Sequence, residues 1–255
     1  MKRILIFLLC LMLLSGCAGM NEPEPGTEPT VPVTEAVTRA PTQVTTEATA
    51  CPTVIGPTEP AVLPEPAVLP EPEDEEIVRI LDFLPAVRED LAYAGAENFA
   101  GQQIYHFYNA YLRYGTVKKL AAVSEELAGE GLGLLIWDGF RPVSAQEKLW
   151  EICPDEKYVS HPVTGSRSHC RGSAVDVTLF DLETGEMLEM PTGFDDFSAL
   201  ADRDYSDCTD TAAANAQKLE DVMTKHGFKG YRAEWWHYSD TDTYPVDEVF
   251  EPPVG

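Results

Sequence analysis

The chain has 255 residues, which is enough for one good-sized domain and additional segments. Its formal net charge is -25, with 43 acidic and 18 basic residues. Nucleic-acid binding requires clustered lysine and arginine, so this charge argues against nucleic acid as a partner.

The start of the chain has the pattern of an export signal. Two basic residues precede an apolar run over 4–14, which is shorter than the roughly 20 residues needed to span a membrane. The run ends in "LSGC" at 14–17, which resembles the lipobox of bacterial lipoproteins, whose signal is removed before a lipidated cysteine. We predict a signal peptide over 1–16 and lipidation at Cys17. The alternative is an ordinary signal peptide with an incidental cysteine.

The next segment has the composition of a disordered tether. Residues 18–76 hold 12 of the chain's 20 prolines, 10 threonines and 12 acidic residues. The hexapeptide "AVLPEP" occurs there twice in tandem, at 61–66 and 67–72. A Pro-rich, acidic segment without aromatic residues cannot bury enough apolar surface to offset the entropy lost on ordering. We predict that residues 17–76 hold a folded domain, residues 77–255, away from the membrane surface.

From residue 77 onward, helical and strand-like apolar patterns alternate without a regular βαβ rhythm. This mixture predicts an α+β fold with a small antiparallel sheet and flanking helices. Ser144 and Glu147 have the spacing of a capping box, and Gly227 is a helix-ending glycine. The predicted elements are a helix over 116–129, a strand over 132–137, a helix from 144 to about 152, a strand over 174–180 and a helix over 211–226.

Three of the six cysteines lie in the predicted domain, at Cys153, Cys170 and Cys208. In an exported protein two of them could form a disulfide, but their spacing does not give the connectivity. The sequence contains no CxxC pair, which argues against a structural zinc knuckle.

The stretch "SRSHCRGSAVDVTLF" at 166–180 places His169 seven residues before Asp176. Seven residues span about 10 Å in a helix and over 20 Å in a strand, so neither element would bring both groups to one ion. The chain can turn back at Gly172, because glycine tolerates positive φ. A carboxylate in the following strand needs a cation or several hydrogen bonds. His169 and Asp176 are therefore candidate metal ligands.

A second polar cluster lies near the C-terminus in "YRAEWWHYS" at 231–239. His237 could complete a His-Asp-His set, and three protein ligands with one open position are typical of catalytic zinc. Glu234 would then be an additional acid beside the metal, able to take a proton from water. Taken alone, a histidine beside two tryptophans is more often packed than ligating.

Together, "HxxGxxxD" and "ExxH" resemble motifs of zinc D,D-dipeptidases and D,D-carboxypeptidases of the hedgehog/D-Ala-D-Ala peptidase superfamily. The resemblance is greatest to the D-alanyl-D-alanine dipeptidase family, which includes the vancomycin-resistance dipeptidase. It covers nearly all of residues 77–250 and none of the tether. The stretches that carry it are "LAYAGAENFAGQQIY" at 91–105, "GLGLLIWDGFRPVSAQEKLW" at 131–150, "RGSAVDVTL" at 171–179, "MPTGFDDF" at 190–197 and "EWWHY" at 234–238.

The resemblance implies a metal centre and its catalytic acid. It makes His169, Asp176 and His237 the ligands of one zinc ion per domain. It makes Glu234 the catalytic acid/base, and it implies the superfamily's α+β fold.

The resemblance also implies roles for residues around the metal. Arg141, in "DGFRP", matches an arginine that stabilises the transition state; the alternative is a surface ion pair with Asp138. Asp195, in "GFDDF", matches the position that binds the free amino group of the substrate, and Asp196 beside it leaves this assignment open. Arg167 departs from the pattern, because a small hydroxyl residue is expected there in the resistance enzymes.

The resulting prediction is an exported, lipid-anchored zinc dipeptidase that cleaves D-alanyl-D-alanine or similar D,D-dipeptides outside the cytoplasmic membrane. Its expected partners are the small dipeptide and, through the lipid anchor only, the membrane. One alternative is a D,D-carboxypeptidase that trims peptidoglycan stem peptides. Another is a non-catalytic wall-binding module, which would need neither Glu234 nor Arg141.

Overall fold

The computed structural model describes residues 70–254. The predicted signal peptide, Cys17 and all of the predicted tether up to residue 69 lie outside these residues. Within 70–254, no helix is long and apolar enough to cross a membrane.

The described part of the chain contains three α-helices and two β-sheets. The helices are α1 (Tyr114–Ala128), α2 (Val143–Ile152) and α3 (Asp210–Lys225). The strands are β1 (Ile77–Arg79), β2 (Arg88–Glu89), β3 (Tyr111–Arg113), β4 (Leu132–Asp138), β5 (Ala174–Asp181), β6 (Phe228–Tyr231) and β7 (Glu234–Asp240).

The larger sheet has the strand order β2-β4-β5-β7-β6, and β1 pairs with β3 in the smaller one. All pairs are antiparallel except β2 with β4, which is parallel. The predicted α+β fold with a small antiparallel sheet is therefore confirmed. The parallel pairing of the two-residue strand β2 was not predicted, because so short a strand has no recognisable sequence period.

Strand β5 separates the apolar core from the polar side of the sheet. Val175, Val177 and Leu179 are fully buried in the core that also contains the apolar faces of α1 and α3. Asp176 alternates with them and lies on the opposite face, as expected from the period of two in a strand. One face of the sheet thus packs in the apolar core, and the opposite face is available for a functional site.

Helix α2 begins differently from the prediction. It starts at Val143, so Ser144 lies inside the helix and cannot be the N-cap residue. Pro142 takes the N-cap position, and its carbonyl accepts hydrogen bonds from the N–H groups of Ala145 and Gln146. The predicted capping box is wrong, because proline holds the extended conformation that precedes the first helical turn.

The three cysteines of the described residues are free thiols, so the possible disulfide among them is not formed. Cys170 is fully buried, and this burial raises the pKa of its thiol to about 11. A thiol of this kind is chemically inert, which assigns Cys170 to packing.

Acidic residues that the sequence assigns to the tether contact the domain. The hydroxyl of Tyr114 donates to Glu71 Oε1 at 2.6 Å. The N–H groups of Tyr114 and Gly115, at the start of α1, donate to the carbonyls of Glu76 and Asp74 at 2.8 and 3.1 Å. The ordered contacts therefore begin before the boundary predicted at residue 77.

Candidate active site

A row of polar residues crosses three adjacent strands of the larger sheet. Asp138 at the end of β4 pairs with Asp176 of β5, which in turn pairs with His237 of β7. The register of β4 shifts between Ile136 and Asp138, which aligns Asp138 with this row. His237 Nδ1 lies 2.9 Å from Asp176 Oδ1. The sheet pairing thus brings together groups that lie far apart in the chain.

His169 reaches this row from a short 3-10 helix that precedes β5. Gly172 ends that helix in the left-handed region, with φ of 69°. A Cβ there would lie 3.3 Å from the backbone and side chain of Arg113, so both conformation and space favour glycine. The predicted turn is present, and it brings His169 Nε2 to 3.3 Å from Asp176 Oδ2 and 3.1 Å from His237 Nδ1.

Contacts on the outer side of each histidine orient its ring. His169 Nδ1 donates to the carbonyl of Gly139 at 2.8 Å, which leaves Nε2 facing Asp176. His237 Nε2 lies 3.1 Å from Ser239 Oγ, which leaves Nδ1 facing the same point. Hydrogen bonds of this type fix the tautomer of metal-binding histidines.

The ligand atoms of His169, Asp176 and His237 lie within 4.8 Å of one another, close enough to hold one metal ion. Burial alone would raise the pKa of Asp176, but the adjacent histidines hold it well below its usual range. Burial alone would lower the pKa of His169, but Asp176 and Asp138 raise it instead. The local field therefore favours positive charge at this point, which a bound cation would supply.

Glu234 precedes His237 by three residues, which in a regular strand would put the two side chains on opposite faces. Strand β7 is not regular there. Its pairing with β6 shifts from Glu234–Tyr231 to Tyr238–Gly230, so the residues between Glu234 and Tyr238 have no partner on β6. This bulge allows both Glu234 and His237 to line one cavity.

Burial raises the pKa of Glu234 to about 7. A carboxyl group that titrates near neutral pH can both accept and return a proton under ordinary conditions. Glu234 therefore lies at the cavity with a carboxyl group whose burial favours its protonated form.

A cavity of about 490 Å³ opens beside the three candidate ligands. Arg141, Asp195 and Glu234 line it together with residues 156–161 and 164–168. The latter belong to a segment over 153–168 that joins α2 to His169, and we call it the wall loop. The cavity thus combines the candidate metal ligands with charges of both signs.

Arg141 is held in a buried ion pair rather than a surface one. Its Nη2 and Nε lie 2.7 and 3.1 Å from Asp138 Oδ2, and its Nη1 donates to Gln146 Oε1 at 2.9 Å. Its side chain also lies over the ring of Tyr93, 5.1 Å from the centroid. Three of the five guanidinium N–H groups are engaged in these hydrogen bonds, which leaves two for a ligand. The pair with Asp138 is compatible with a catalytic role, because it fixes the guanidinium at the cavity wall.

The structure places Asp195, and not Asp196, at the cavity. Asp195 has a φ of 56° and accepts a hydrogen bond from the Tyr93 hydroxyl at 2.8 Å. Its burial raises the pKa of its carboxyl group to about 7. Asp196 is exposed and accepts only from the N–H of Ser198. The two neighbouring aspartates therefore have different environments.

Arg167 also lines the cavity, with a left-handed φ of 49°. Its Nη1 lies 3.1 Å from Glu248 Oε1. The residue that departs from the family pattern is thus part of the wall loop, close to the candidate ligands.

Several site residues lie within the stretches that carry the family resemblance, but their residue types and spacing indicate no role. Tyr93 binds Asp195, and Tyr105 donates to Asp138 at 2.7 Å. Gln146 binds Arg141 from within α2. Each contact depends on the tertiary fold, and no spacing rule connects the partners.

Comparisons with known proteins identify the family to which the chain is similar. A family model described as "D-ala-D-ala dipeptidase" matches residues 73–254. The chain is 35% identical to the D-alanyl-D-alanine dipeptidase of Escherichia coli (strain K12) over 173 residues, which are 67% of this chain and 89% of that protein. It is 34% identical to the D-alanyl-D-alanine dipeptidase of Enterococcus faecalis (strain ATCC 700802 / V583) over 189 residues, 66% of this chain and 93% of the relative. A solved structure of VanYB in complex with D-Alanine-D-Alanine is 14% identical, covers 52% of this chain and 73% of that one, and has a TM-score of 0.36.

Proposed function

Because the chain belongs to the D-alanyl-D-alanine dipeptidase family, we propose that it hydrolyses D-alanyl-D-alanine or a closely similar D,D-dipeptide at this site. The observation that carries the proposal is the convergence of His169, Asp176 and His237 within 4.8 Å, beside Glu234 and Arg141 in one cavity. A binding module would need a cavity but neither a carboxyl group that titrates near neutral pH nor a buried arginine facing it.

Zinc is the metal that suits this site. Two imidazole nitrogens and one carboxylate oxygen, with a position left open, form a ligand set found in catalytic zinc centres. His169 would bind through Nε2 and His237 through Nδ1, because Gly139 and Ser239 engage the other ring nitrogens. When bound, zinc polarises the scissile carbonyl and lowers the pKa of water.

Glu234 is the proposed acid/base. Its ionised carboxylate takes a proton from the attacking water, whose oxygen forms the new bond to the carbonyl carbon. It then gives that proton to the nitrogen of the leaving amine as the peptide bond breaks. In the metal-free protein, burial raises the pKa of the Glu234 carboxyl, and this burial favours its holding the proton between the two steps.

Arg141 is proposed to stabilise the negative charge that develops on the carbonyl oxygen. Fixed positive charge lowers the barrier most when it needs no reorganisation during the reaction. Asp138 and Gln146 supply that fixation by holding the guanidinium at two edges.

Asp195 is proposed to bind the ammonium group of the substrate. A partly buried carboxyl group gains from a cationic partner, which would favour its ionised form. Recognition of a free amino group distinguishes a dipeptidase from an enzyme that trims longer peptides. Asp195 would therefore set the length of the substrate.

The proposal is tested by assaying the zinc-loaded protein with D-alanyl-D-alanine and with its N-acetylated form. We expect zinc-dependent cleavage that is much faster for the free dipeptide. Comparable rates on both substrates would instead identify a D,D-carboxypeptidase. Bound zinc without hydrolysis of either substrate would identify a binding module.

We further propose that the enzyme acts outside the cytoplasmic membrane, held by lipid at Cys17. The support is the apolar run, the "LSGC" sequence and the acidic tether of the first 76 residues. One acyl chain binds a membrane only marginally, so stable anchoring requires more than one chain. An enzyme at this location cannot deplete an internal dipeptide pool. It would degrade extracellular or wall-derived dipeptides, for nutrition or wall turnover.

A further inference from the structure

We propose that Gln146 is a positioning residue that couples Arg141 to the wall loop, an inference that rests on the role proposed for Arg141 above. Gln146 is 2% exposed and uses both ends of its amide. Its Oε1 accepts from Arg141 Nη1 at 2.9 Å, and its Nε2 donates to the carbonyl of Ser160 at 2.7 Å. A single side chain therefore connects the arginine with the loop.

The contact with Gln146 completes the orientation of the guanidinium. Asp138 binds the edge formed by Nε and Nη2, and Gln146 binds Nη1 on the other side. A planar fork that is held at one edge can still swing about that contact, whereas two edges fix both its position and its plane. Gln146 is itself fixed in the first turn of α2, where its N–H donates to Pro142.

The other end of Gln146 reaches the point where the wall loop closes on itself. Ser160 Oγ accepts from the N–H of Arg167 at 3.5 Å. A Cβ at Gly165 would lie 2.1 Å from the same oxygen, so the loop is tightly packed at this point. The loop forms much of the cavity wall and continues directly into His169. A shift of Ser160 would thus be transmitted to the arginine through Gln146.

A buried glutamine could instead contribute only to stability. The two roles are distinguished by whether the effect of a change at Gln146 depends on the presence of Arg141. The test uses Gln146→Met in the full chain loaded with zinc, since methionine has a similar size but a poor capacity for hydrogen bonds. The same change is made in an Arg141→Lys background. Lysine keeps the charge beside Asp138, but its single nitrogen lacks the fork that Gln146 orients.

We expect Gln146→Met to lower kcat by about 10–100-fold with little change in KM, the size of effect that follows from small displacement of a catalytic group. In the Arg141→Lys background the same change should lower kcat by less than about 3-fold. Amide hydrogen exchange over 156–167 should become faster. Gln217→Met is the matched control, because Gln217 is exposed on α3 and binds only Asp221. Gln217→Met should leave kcat, KM and amide hydrogen exchange unchanged.

Equal losses of kcat in both backgrounds, or a loss of thermal stability without a loss of kcat, would overturn the proposal. If Gln146→Met does not fold, kcat is compared in the same two backgrounds with Gln146→Glu, which keeps an acceptor for Arg141 and loses the donor to Ser160. Equal losses of kcat in both backgrounds again overturn the proposal. If Arg141→Lys alone leaves kcat unchanged, the role of Arg141 fails and the positioning role fails with it. Absence of hydrolysis in the unmodified chain would instead refute the proposed function.

Discussion

Replacing Asp195 with asparagine should stabilise the metal-free protein while it impairs substrate recognition. The carboxyl group of Asp195 has its pKa raised by burial from 3.8 to about 7. Between these values the unfolded chain has lost this proton and the folded chain retains it. The stabilisation that this group contributes is therefore complete below pH 3.8. It decreases as the pH rises from 3.8 to 7 and is lost above pH 7.

The size of the effect follows from the same difference in pKa. Above pH 7, ionisation of Asp195 lowers the unfolding free energy by about 4 kcal/mol, and relaxation of the protein around the charge reduces this loss to about 2–4 kcal/mol. Asparagine does not ionise and can still accept from the Tyr93 hydroxyl. Asp195→Asn should therefore be more stable than the unmodified protein at pH 8, by an amount that shrinks towards pH 5.

Urea unfolding of the metal-free protein at pH 5 and pH 8 measures this difference. Asp196→Asn is the matched control, because Asp196 is exposed and does not line the cavity. In the zinc-loaded enzyme, Asp195→Asn should reduce the preference for the free dipeptide over its N-acetylated form by about 10–100-fold, the loss expected for a charged hydrogen bond. An equal stability change at both pH values, or an unchanged substrate preference, would refute the reasoning.

Three further predictions concern metal, chemistry and location. His169→Ala and His237→Ala should each lose zinc and activity, whereas Glu234→Gln should keep zinc and lose rate; equal zinc loss in all three, measured on purified protein, would contradict this division. Arg141→Ala should lower kcat by about 10²–10³-fold and lower the melting temperature, because its buried carboxylate partner loses its counter-charge; a change confined to KM would mean that the arginine only binds substrate. Cys17→Ala should move the protein from the membrane fraction to the medium or periplasm with unchanged kcat/KM. Uncleaved native protein in the cytosol, or a large gain in glycopeptide resistance on expression, would contradict the proposed location.

The features that could be predicted from the sequence depend on local physics. The alternation in β5 identifies its polar face, because the strand period is independent of the rest of the fold. Gly172 marks the reversal between His169 and Asp176, since few other residues adopt its backbone conformation. These two features were enough to predict that the chain turns back between His169 and Asp176.

The features that could not be predicted depend on partners distant in the chain. The bulge in β7 that allows Glu234 and His237 to line the same cavity is defined only by the pairing with β6. The difference between Asp195 and Asp196 depends on Tyr93, which lies 102 residues before Asp195. The buried state of the Arg141–Asp138 pair likewise depends on the packing around it, which spacing does not encode.

The acidic residues before β1 have a practical consequence for truncated forms of this protein. The first N–H groups of a helix lack partners within the helix itself. In α1, the carbonyls of Glu76 and Asp74 accept from two of these groups, and both donors lie in buried residues. A protein shortened to begin at residue 77, where the composition changes, would lose both acceptors. We expect such a form to express poorly or melt earlier than one beginning at residue 70, although both contain every proposed active-site residue.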